Sequence, residues 1–326
     1  MAVALVFPGQ GSQKLGMGRA LANNFPIAAE WFARFDDALN LPLSQLMWGE
    51  DAEALTDTAI TQPALLAVSL AVLAVWQQEF GFNTAEHSGF VAGHSLGEYS
   101  ALAAAGALDW LAAIRLVHLR GQLMKQAGLA RPGAMAALLG ASTSDAQALI
   151  AEAAKLGVCV AANDNADGQL VLSGEVAALA CAGELAGALP KVRWMPLNVS
   201  GAFHSPLMAS AAEQLQQALA SVALTDPSVP VIMNVTAAPC QSATAIKPLL
   251  VQQLCQPVRW RETMQNLHAS GVDTVVEVGS GRVLSGLAKR SGLAWQQILT
   301  ADATSDSVEE ILTVGQGLVA ATETNR

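Results

Sequence analysis

The chain has 326 residues, of which 52% are hydrophobic and only 13% are charged, and its formal net charge is −10. This length suffices for one large domain or two ordinary ones, while the negative charge argues against nucleic acid or an acidic membrane as a general partner. The four cysteines have neither CxxC pairing nor metal-ligand spacing, so the sequence predicts no metal site and a cytoplasmic protein with buried thiols.

The N-terminus and the apolar segments give no sign of export or membrane insertion. Met1 to Phe7 has no basic start and no cleavage site, so no signal peptide is expected. The longest apolar run, Ala64 to Trp76, is interrupted by Ser69 and is too short to span a bilayer. It is predicted to be a buried helix with Pro63 in its first turn, and no membrane contact is expected.

Apolar strands alternate with helical patterns over the first 127 residues. A strand at Ala2 to Phe7 ends in the Gly-rich turn Pro8 to Gln13, and a strand ending at Gly89 to Ala92 precedes a helical pattern at Glu98 to Ala107. Further helices are predicted at Arg19 to Asn24, Ile27 to Leu39, Pro63 to Phe80 and Trp110 to Gln126. This alternation indicates a layered α/β core around a parallel sheet.

The pattern changes between residues 128 and 197. Strands are predicted at Ala134 to Gly140, Val158 to Ala162, Gln169 to Ser173 and Val192 to Leu197, and helices at Ser142 to Leu156 and Glu175 to Leu189. The order β-α-β-β-α-β is ferredoxin-like and suits a small inserted domain. We therefore predict an insertion at 128–197 within a core formed by 1–127 and 198–326.

Core elements resume after residue 197. Helices are predicted at Pro206 to Ala220, Ile246 to Leu254, Val283 to Arg290 and Val308 to Ala321, and strands at Val229 to Val235 and Thr274 to Val278. Their alternation continues the α/β pattern of the N-terminal part.

The run Gly93-His94-Ser95-Leu96-Gly97 places a serine between two glycines where a strand gives way to a helix. In a G-x-S-x-G elbow the chain turns sharply and exposes the serine hydroxyl, and the next helix directs its free N–H groups at an anion formed there. The glycines are needed because neighbouring chain passes too close for side chains. Ser95 is therefore a candidate acyl-transfer nucleophile, with an ordinary Gly-rich turn as the alternative.

A serine nucleophile needs a base, usually a histidine, and the chain has five. His94 adjoins Ser95, but neighbouring side chains on a tight elbow point apart. His204 lies in the turn Gly201 to Met208 that leads into a helix, and loop residues are often functional. We predict His204 as the base, with a helix-capping loop histidine as the alternative.

The tetrahedral intermediate of acyl transfer needs two backbone N–H donors. Leu96, directly after the nucleophile, is one candidate, and Gln10, at the centre of the first Gly-rich turn, is the other. The glycines beside Gln10 permit close approach of a ligand. A phosphate-binding turn is the weaker interpretation, because the Walker lysine and spacing are missing.

Arg120 points to a particular acyl group. On a helical wheel, apolar side chains surround it, while Arg115 lies about 140° away on another face. A guanidinium in such surroundings is costly unless an anion or a hydrogen-bond network meets it, and arginine suits bidentate binding of a carboxylate. A substrate with a free carboxylate would meet this need. A structural arginine, snorkelling or paired with a buried acid, is the alternative.

Five motifs, in one order along the chain, resemble those of malonyl-CoA:acyl carrier protein transacylases, which are related to polyketide synthase acyltransferase domains. They are Phe7 to Gln13 (FPGQGSQ), Thr61 to Leu66 (TQPALL), Gly93 to Glu98 (GHSLGE), Arg120 to Gln122 (RGQ) and Phe203 to Ser205 (FHS). The likeness extends from Val3 to the run Glu277 to Gly281, which is nearly the full length.

The resemblance implies an α/β-hydrolase-like core with a ferredoxin-like insertion. It also implies that Ser95 is the nucleophile and His204 its base, and that the N–H groups of Gln10 and Leu96 form the oxyanion hole. Arg120 would hold the malonyl carboxylate.

Three further residues match the family by position. Gln62 resembles the pocket glutamine near the arginine, Asn163 an asparagine that lines the insertion side of the cleft, and Gln253 the residue whose backbone carbonyl orients the histidine in place of a triad aspartate. Two local features bear on the pathway: Ser280 stands where proline is common in the family, and Phe203 resembles the malonyl-selective form of its loop.

The implied activity is transfer of malonyl from malonyl-CoA to the phosphopantetheine thiol of holo acyl carrier protein, by a ping-pong mechanism through a malonyl-serine ester. No metal or redox cofactor is implied, a monomer is expected, and the basic segments Arg115 to Arg131 and Arg259 to Arg290 are the predicted docking regions. The carrier could serve fatty acid synthesis, a polyketide assembly line or malonate decarboxylase. A serine carboxylesterase-like hydrolase and a non-catalytic carrier-binding subunit are the alternatives from other classes.

Overall fold

Two separate sheets and the helices packed on them form the fold, which a computed structural model describes for residues 2–323. The strands are β1 Val3–Phe7, β2 Phe90–Gly93, β3 Gly133–Leu139, β4 Cys159–Ala166, β5 Gln169–Glu175, β6 Arg193–Pro196, β7 Val231–Ile232, β8 Pro239–Cys240, β9 Thr274–Gly279 and β10 Gln297–Asp302. The α-helices are α1 Arg19–Asn24, α2 Pro26–Leu39, α3 Leu43–Trp48, α4 Thr58–Phe80, α5 Thr84–His87, α6 Gly97–Ala104, α7 Trp110–Ala130, α8 Thr143–Ala153, α9 Val176–Gly187, α10 Ala209–Ser221, α11 Ala243–Gln253, α12 Trp260–Ala269, α13 Val283–Arg290 and α14 Glu309–Glu323.

The larger sheet has the strand order β10-β9-β1-β2-β7-β8, and every pair in it is parallel except β7 with β8. Strands β1 and β9 are buried at every position, as expected for a parallel sheet covered by helices on both faces. In register, Leu5 lies opposite Val91 on one side and Val276 on the other. The predicted α/β core with a parallel sheet is confirmed, with an antiparallel pair at one edge.

The smaller sheet has the order β4-β5-β3-β6 and is antiparallel. Its strands all lie between residues 133 and 196, and helices α8 and α9 cover one face with their own apolar cluster, which includes Leu138, Leu149, Leu172 and Leu179. The sheet is joined to the core through Val258, whose N–H donates to Ala162 O (2.8 Å). The smaller sheet therefore forms one wall of a cleft against the larger sheet.

The carboxyl ends of β1, β2, β7 and β9 lie at one edge of the larger sheet, because parallel strands share a direction. The loops that leave them contact one another. His94 after β2 donates its N–H to Phe7 O (3.0 Å), and the Ser280 hydroxyl after β9 donates to Ser12 O (2.6 Å). Polar residues from four separate chain segments are thereby brought together at this edge.

The long core helix α4 begins at Thr58, five residues before the proline that was expected in its first turn. Asp57 caps it by accepting from Ala59 N–H (3.0 Å). Pro63 has no N–H for the carbonyl of Ala59 one turn earlier, and His118 Nδ1 from α7 lies 2.9 Å from that oxygen instead. The prediction that Pro63 lies in the first turn of this helix is therefore wrong. The helix extends further toward the N-terminus because His118 from a neighbouring helix replaces the hydrogen bond that the proline removes.

Among the described residues, α4 is the one helix long and apolar enough to cross a membrane by length and composition. Its 18-residue apolar window is 94% buried inside the fold. The apolar surface of α4 is therefore used in packing against other parts of the protein.

Two predicted strands differ in length from the structure, and some elements were not predicted. The strand expected at Val229 to Val235 is reduced to the two residues of β7, after which the chain turns. Strand β4 continues to Ala166, beyond the predicted Ala162, and absorbs its polar residues through register shifts on both sides of Asn163 and Asp164. Strand β10 was not predicted, because its sequence, QILTAD, does not follow the alternation of a half-buried strand.

Candidate active site

Ser95 lies on the tight turn between β2 and α6, as the G-x-S-x-G pattern predicts. Its φ is +53°, a left-handed conformation that non-glycine residues rarely adopt. A Cβ on Gly93 would overlap the backbone of Gly97, and a Cβ on Gly97 would overlap Phe7 O. The two glycines are therefore required because neighbouring chain passes through the space of their missing side chains.

His204 lies at the nucleophile, although 109 residues separate it from Ser95 in the chain. Its Nε2 is 2.8 Å from Ser95 Oγ, and its Nδ1 is 2.7 Å from the backbone oxygen of Gln253. A carbonyl oxygen can only accept, so Nδ1 carries the proton and Nε2 presents its lone pair to the serine hydroxyl. The sequence prediction that the Gln253 carbonyl orients His204 thus corresponds to a direct contact in the structure.

The imidazole of His204 is held in its neutral form. Burial lowers its pKa to about 3, and the positive charge of Arg120 contributes in the same direction. The ring is 3% exposed, and its backbone φ is +56°. A buried neutral imidazole aligned on a serine hydroxyl can take the proton of that hydroxyl during attack.

Arg120 extends from α7 to the same point and is 1% exposed. Its Nη1 donates to Gln62 Oε1 (2.6 Å), and its Nη2 donates to Gln253 Oε1 (2.9 Å) and to Ser95 Oγ (3.1 Å). No carboxylate within residues 2–323 forms an ion pair with it. Arg120 thus has no direct ion pair: two neutral amides support the guanidinium beside the nucleophile, and the buried carboxyl of Glu98 attracts it from behind the Gln253 amide.

Gln62 is placed where the resemblance implies, next to the arginine. Its Oε1 accepts from Arg120, and its Nε2 lies 3.3 Å from Met124 Sδ on α7. The thioether sulfur is a weak acceptor, and the amide nitrogen of Gln62 faces it on α7. The oxygen of Gln62 is therefore the atom directed at the guanidinium.

The turn after β1 lies directly against the elbow. A Cβ on Gly9 would overlap His94 O, and the Gln10 side chain is turned away, with its Nε2 3.2 Å from Thr58 Oγ1. The backbone N–H groups of Gln10 and Leu96 donate to no acceptor within residues 2–323. Both predicted oxyanion donors are thus free to bind a negatively charged oxygen.

The smaller sheet supplies the opposite wall of the cleft. Asn163, Asn165 and Gln169 line it together with Gln10 and His94. His94 points to this wall, with its Nε2 2.8 Å from Asn165 Oδ1, as expected for a neighbour of the nucleophile that is not its base. Asn163 lines the cleft, and its buried Oδ1 has no hydrogen-bond partner among the described residues.

Sequence reasoning missed two residues beneath the nucleophile. Asn234, in the turn after β7, accepts the Ser95 N–H through Oδ1 (2.8 Å) and donates through Nδ2 to Gly93 O (2.6 Å). Glu98 accepts from Asn234 N–H (2.6 Å) and from Gln253 Nε2 (2.5 Å), and burial raises its pKa to about 8. The available signal was position: an asparagine at the carboxyl end of a parallel strand lies where functional residues gather.

The arrangement contains a serine, a neutral histidine base, free N–H donors and a buried guanidinium, which are the parts of an acyl-transfer site for a carboxylated acyl group. Within residues 2–323, no group of three or more His, Cys, Asp or Glu side chains is placed to hold a metal ion. The local chemistry therefore centres on the serine.

Comparisons with known proteins agree with this chemistry. Residues 4–300 match the acyl transferase domain family. Malonyl CoA-acyl carrier protein transacylase of Bacillus subtilis strain 168 is 44% identical over 301 residues, covering 92% of this chain and 93% of that protein. The protein of the same name from Escherichia coli K12 is 42% identical over 287 residues, covering 88% and 92%.

Solved structures give the same result. The crystal structure of acyl-carrier-protein-S-malonyltransferase from Bartonella henselae superimposes with a TM-score of 0.91 at 43% identity, covering 98% of this chain and 99% of that one. A malonyl-transacylase solved with a type II PKS acyl-carrier protein gives a TM-score of 0.89 at 40% identity, covering 97% and 100%. The chain therefore belongs to the malonyl CoA-acyl carrier protein transacylase family.

Proposed function

We propose that this protein transfers a malonyl group from malonyl-CoA to the phosphopantetheine thiol of holo acyl carrier protein. The observation that carries the proposal is Arg120: a buried guanidinium, unpaired with any acid of the described residues, whose Nη2 lies 3.1 Å from Ser95 Oγ. A malonyl group bound as an ester on that oxygen has its carboxylate two carbons from the ester carbonyl. That carboxylate is the anion that the guanidinium requires.

The first half-reaction acylates the serine. Ser95 Oγ attacks the thioester carbon of malonyl-CoA while its proton passes to His204 Nε2, and the oxyanion binds the N–H groups of Gln10 and Leu96. The intermediate collapses with cleavage of the C–S bond, and the proton on His204 goes to the CoA sulfur. The products are a malonyl-serine ester and free CoA thiol.

The second half-reaction uses the same groups in reverse order. The phosphopantetheine thiol of the carrier gives its proton to His204 Nε2 as its sulfur attacks the ester carbon. The new C–S bond forms, the C–O bond to Ser95 breaks, and His204 returns the proton to Oγ. The steps balance with malonyl-CoA and the carrier thiol as the only reactants, so they require no metal or redox cofactor.

The other site residues take supporting roles in this proposal. Gln62 would fix the guanidinium of Arg120 for the carboxylate, the Gln253 carbonyl would hold the tautomer of His204, and Asn163 would bind the acyl donor from the opposite wall. We further propose that the fold is an α/β-hydrolase-like core with a ferredoxin-like insertion at 128–197, and that the protein acts as a monomer in the cytoplasm.

The predicted docking regions need refinement, because several of their basic side chains are already ion-paired. Lys125, Arg131, Arg259, Arg261 and Arg282 each contact an acidic side chain. Lys289 and Arg290, in the last turn of α13, form no ion pair with an acidic side chain within residues 2–323. The first residues of the same helix, Val283 and Leu284, line the cleft. We therefore propose the exposed face of α13 as the part of the basic segments that meets an anionic partner.

In a serine carboxylesterase-like hydrolase, an Asp or Glu between the serine and the histidine in the chain would orient the histidine. In the structure a neutral backbone carbonyl occupies that place, at 2.7 Å from His204 Nδ1. A carboxylesterase-like hydrolase also has no role for a buried arginine beside its nucleophile. Transfer to a carrier thiol therefore accounts for more of the site than transfer to water does.

Intact-mass measurement tests the proposal directly. After mixing with malonyl-CoA, the wild type should carry one malonyl adduct, which holo carrier removes and apo carrier does not. Ser95→Ala should carry no adduct. Steady release of malonate without a carrier would instead identify a hydrolase. Parallel transfer assays with fatty-acid, polyketide and malonate decarboxylase carriers would assign the pathway.

A further inference from the structure

Asn234 is a fully buried polar residue that the proposed mechanism leaves without a task. We propose that Asn234 is a positioning residue for the nucleophile, whose carboxamide holds the Ser95 peptide in the turn that directs Oγ at His204. This inference rests on the proposed function, since it concerns the rate at which the same serine is acylated.

The contacts of the carboxamide determine its orientation without ambiguity. Oδ1 lies 2.8 Å from Ser95 N, which can only donate, and Nδ2 lies 2.6 Å from Gly93 O, which can only accept. One hydrogen bond thus holds the carbonyl of Gly93, two residues before the nucleophile, and the other holds the N–H of Ser95 itself. One side chain therefore constrains the peptide planes on both sides of His94, where Ser95 has a φ of +53°.

Asn234 is itself held in place by the helix that follows the elbow. Glu98 Oε1 accepts from Asn234 N–H (2.6 Å), and Glu98 Oε2 accepts from Gln253 Nε2 (2.5 Å). Gln253 Nε2 also donates to Ser95 O (2.9 Å), and the Gln253 carbonyl binds His204. The nucleophile and the base thus share one buried frame, which sets the 2.8 Å distance between Oγ and Nε2.

The frame also determines which N–H groups remain for the oxyanion. Because Asn234 engages the Ser95 N–H, the next N–H along the chain, that of Leu96, is left free within residues 2–323. Without the carboxamide, the Ser95 peptide could rotate toward a more ordinary φ, and both Oγ and the Leu96 N–H would move with it. Loss of Asn234 should therefore slow acylation more than it weakens donor binding.

The test compares Asn234→Leu, which keeps the approximate shape but removes both bonds, with Asn266→Leu. Asn266 donates to Ala237 O (2.7 Å) in the turn that follows Asn234 and has no bond to the elbow, so it serves as a matched control. A neutral phosphonyl fluoride reports on the serine: the Oγ–P bond forms, the P–F bond breaks, fluoride leaves and the proton passes through His204. Single-turnover malonylation and thermal unfolding are measured in parallel.

We expect Asn234→Leu to reduce both the labelling rate and the malonylation rate at saturation by about 100-fold, as a displacement near 1 Å does. The half-saturating malonyl-CoA concentration should change by no more than about twofold, since the binding groups remain. Asn266→Leu should label like the wild type even if its melting temperature falls. The proposal would be overturned if Asn234→Leu and the wild type were labelled at equal rates below both melting temperatures. It would also be overturned if Asn234→Leu raised the half-saturating malonyl-CoA concentration and left the rate at saturation unchanged.

Asn234→Asp provides a second variant with a pH signature. Its carboxyl keeps an acceptor for Ser95 N–H but donates to Gly93 O only when protonated, and burial favours the protonated form. Its labelling rate relative to the wild type should therefore rise as the pH falls from 8 to 5.5. The comparison is repeated with Glu98→Gln in both proteins, because Glu98 contacts residue 234 and its pKa, raised to about 8 by burial, would shift beside a second buried carboxyl.

A ratio that stays constant with pH would overturn the role of the Gly93 bond. The labelling readout is independent of the acyl donor. A wild type that labels but takes up no malonyl group would overturn the proposed function, while the labelling rates of the variants would still decide the role of Asn234.

Discussion

The two walls of the cleft use their polar groups differently. On the wall formed by the larger sheet, hydrogen bonds join Ser95, His204, Arg120 and Gln253, of which Ser95 is partly exposed and the other three are almost fully buried. On the wall formed by the smaller sheet, Asn163 is half-buried, and its Oδ1 has no partner among the described residues. The first wall is held by a network of its own hydrogen bonds, although Arg120 Nε has no partner among the described residues, whereas no such network holds the amide oxygen of Asn163 on the second wall.

This comparison divides the reaction between the walls. On the larger-sheet wall, substitution of His204 should change the rate of acyl transfer and substitution of Arg120 the choice of acyl group, whereas substitutions on the smaller-sheet wall should change binding of the acyl donor alone. This division between the walls can be tested by substitution on each wall.

His204→Ala should reduce the rate of Ser95 malonylation by at least about 10²- to 10⁴-fold, the usual contribution of a positioned general base. The chain offers His118→Ala as a control, since His118 Nδ1 contacts Ala59 O and lies away from the nucleophile. The free energy of unfolding of that variant should be lower by about 1 kcal/mol, and its Ser95 should be malonylated at the wild-type rate. Single-turnover mass spectrometry and denaturant unfolding measure the two quantities.

Equal acylation losses in the two histidine variants would contradict the division. They would show that a general loss of packing, and not removal of the base, slows the reaction.

Arg120→Met should lower kcat/KM for malonyl-CoA by about 100-fold or more, since truncating one partner of a buried charge pair costs about 2–5 kcal/mol. Transfer of an acetyl group, which has no carboxylate, should remain or improve in the same variant. Arg115→Met is the matched control on another face of α7, where Arg115 Nε contacts Ala38 O at the surface. Competition between malonyl-CoA and acetyl-CoA measures the switch.

The acetyl substrate separates two roles of the guanidinium, which also donates to Ser95 Oγ. If malonyl and acetyl transfer fell equally in Arg120→Met, the guanidinium would act on the nucleophile and not on the carboxylate. Unchanged malonyl transfer would remove Arg120 from the site altogether.

Asn163→Ala, on the smaller-sheet wall, should raise KM for malonyl-CoA by about two- to tenfold, the value of one hydrogen bond, and leave kcat nearly unchanged. Its Oδ1 lacks a partner in the described protein, so stability should not fall. Ser173→Ala is a suitable control, because its hydroxyl is buried in the smaller sheet, likewise lacks a partner there and does not line the cleft. Steady-state kinetics provide the test, and a fall in kcat alone would assign Asn163 to the chemistry.

The same division explains what could be predicted from the sequence. Ser95 and Arg120 were accessible because each depends on a local pattern, a five-residue elbow in one case and a helical face in the other. His204 was found among five histidines by its place before a helix. The parallel core followed from alternating apolar segments.

Asn234 and the side chain of Gln253 could not be found in this way. Their roles depend on contacts with Ser95, across 139 and 158 residues of sequence. No spacing rule connects such positions, because the sheet order β1-β2-β7 that brings them together is a tertiary property. The early start of α4 was missed for a similar reason, since His118 from another helix compensates for Pro63.

The smallest expected effect is the pH dependence of the wild type. Because burial and Arg120 lower the pKa of His204 to about 3, the base stays neutral throughout the range from pH 8 to 5.5. Labelling of Ser95 by a neutral phosphonyl fluoride should therefore vary by less than about twofold between pH 7 and 5.5, which lies below the pKa of about 8 of Glu98 behind the nucleophile. Arg120→Met removes a positive charge, which raises the pKa of His204, so its labelling should begin to fall at a higher pH than that of the wild type. Asn163→Ala, on the other wall, should leave the profile unchanged. A wild-type rate that halves near pH 6.5 would instead show that the larger-sheet wall does not hold its base in the neutral form.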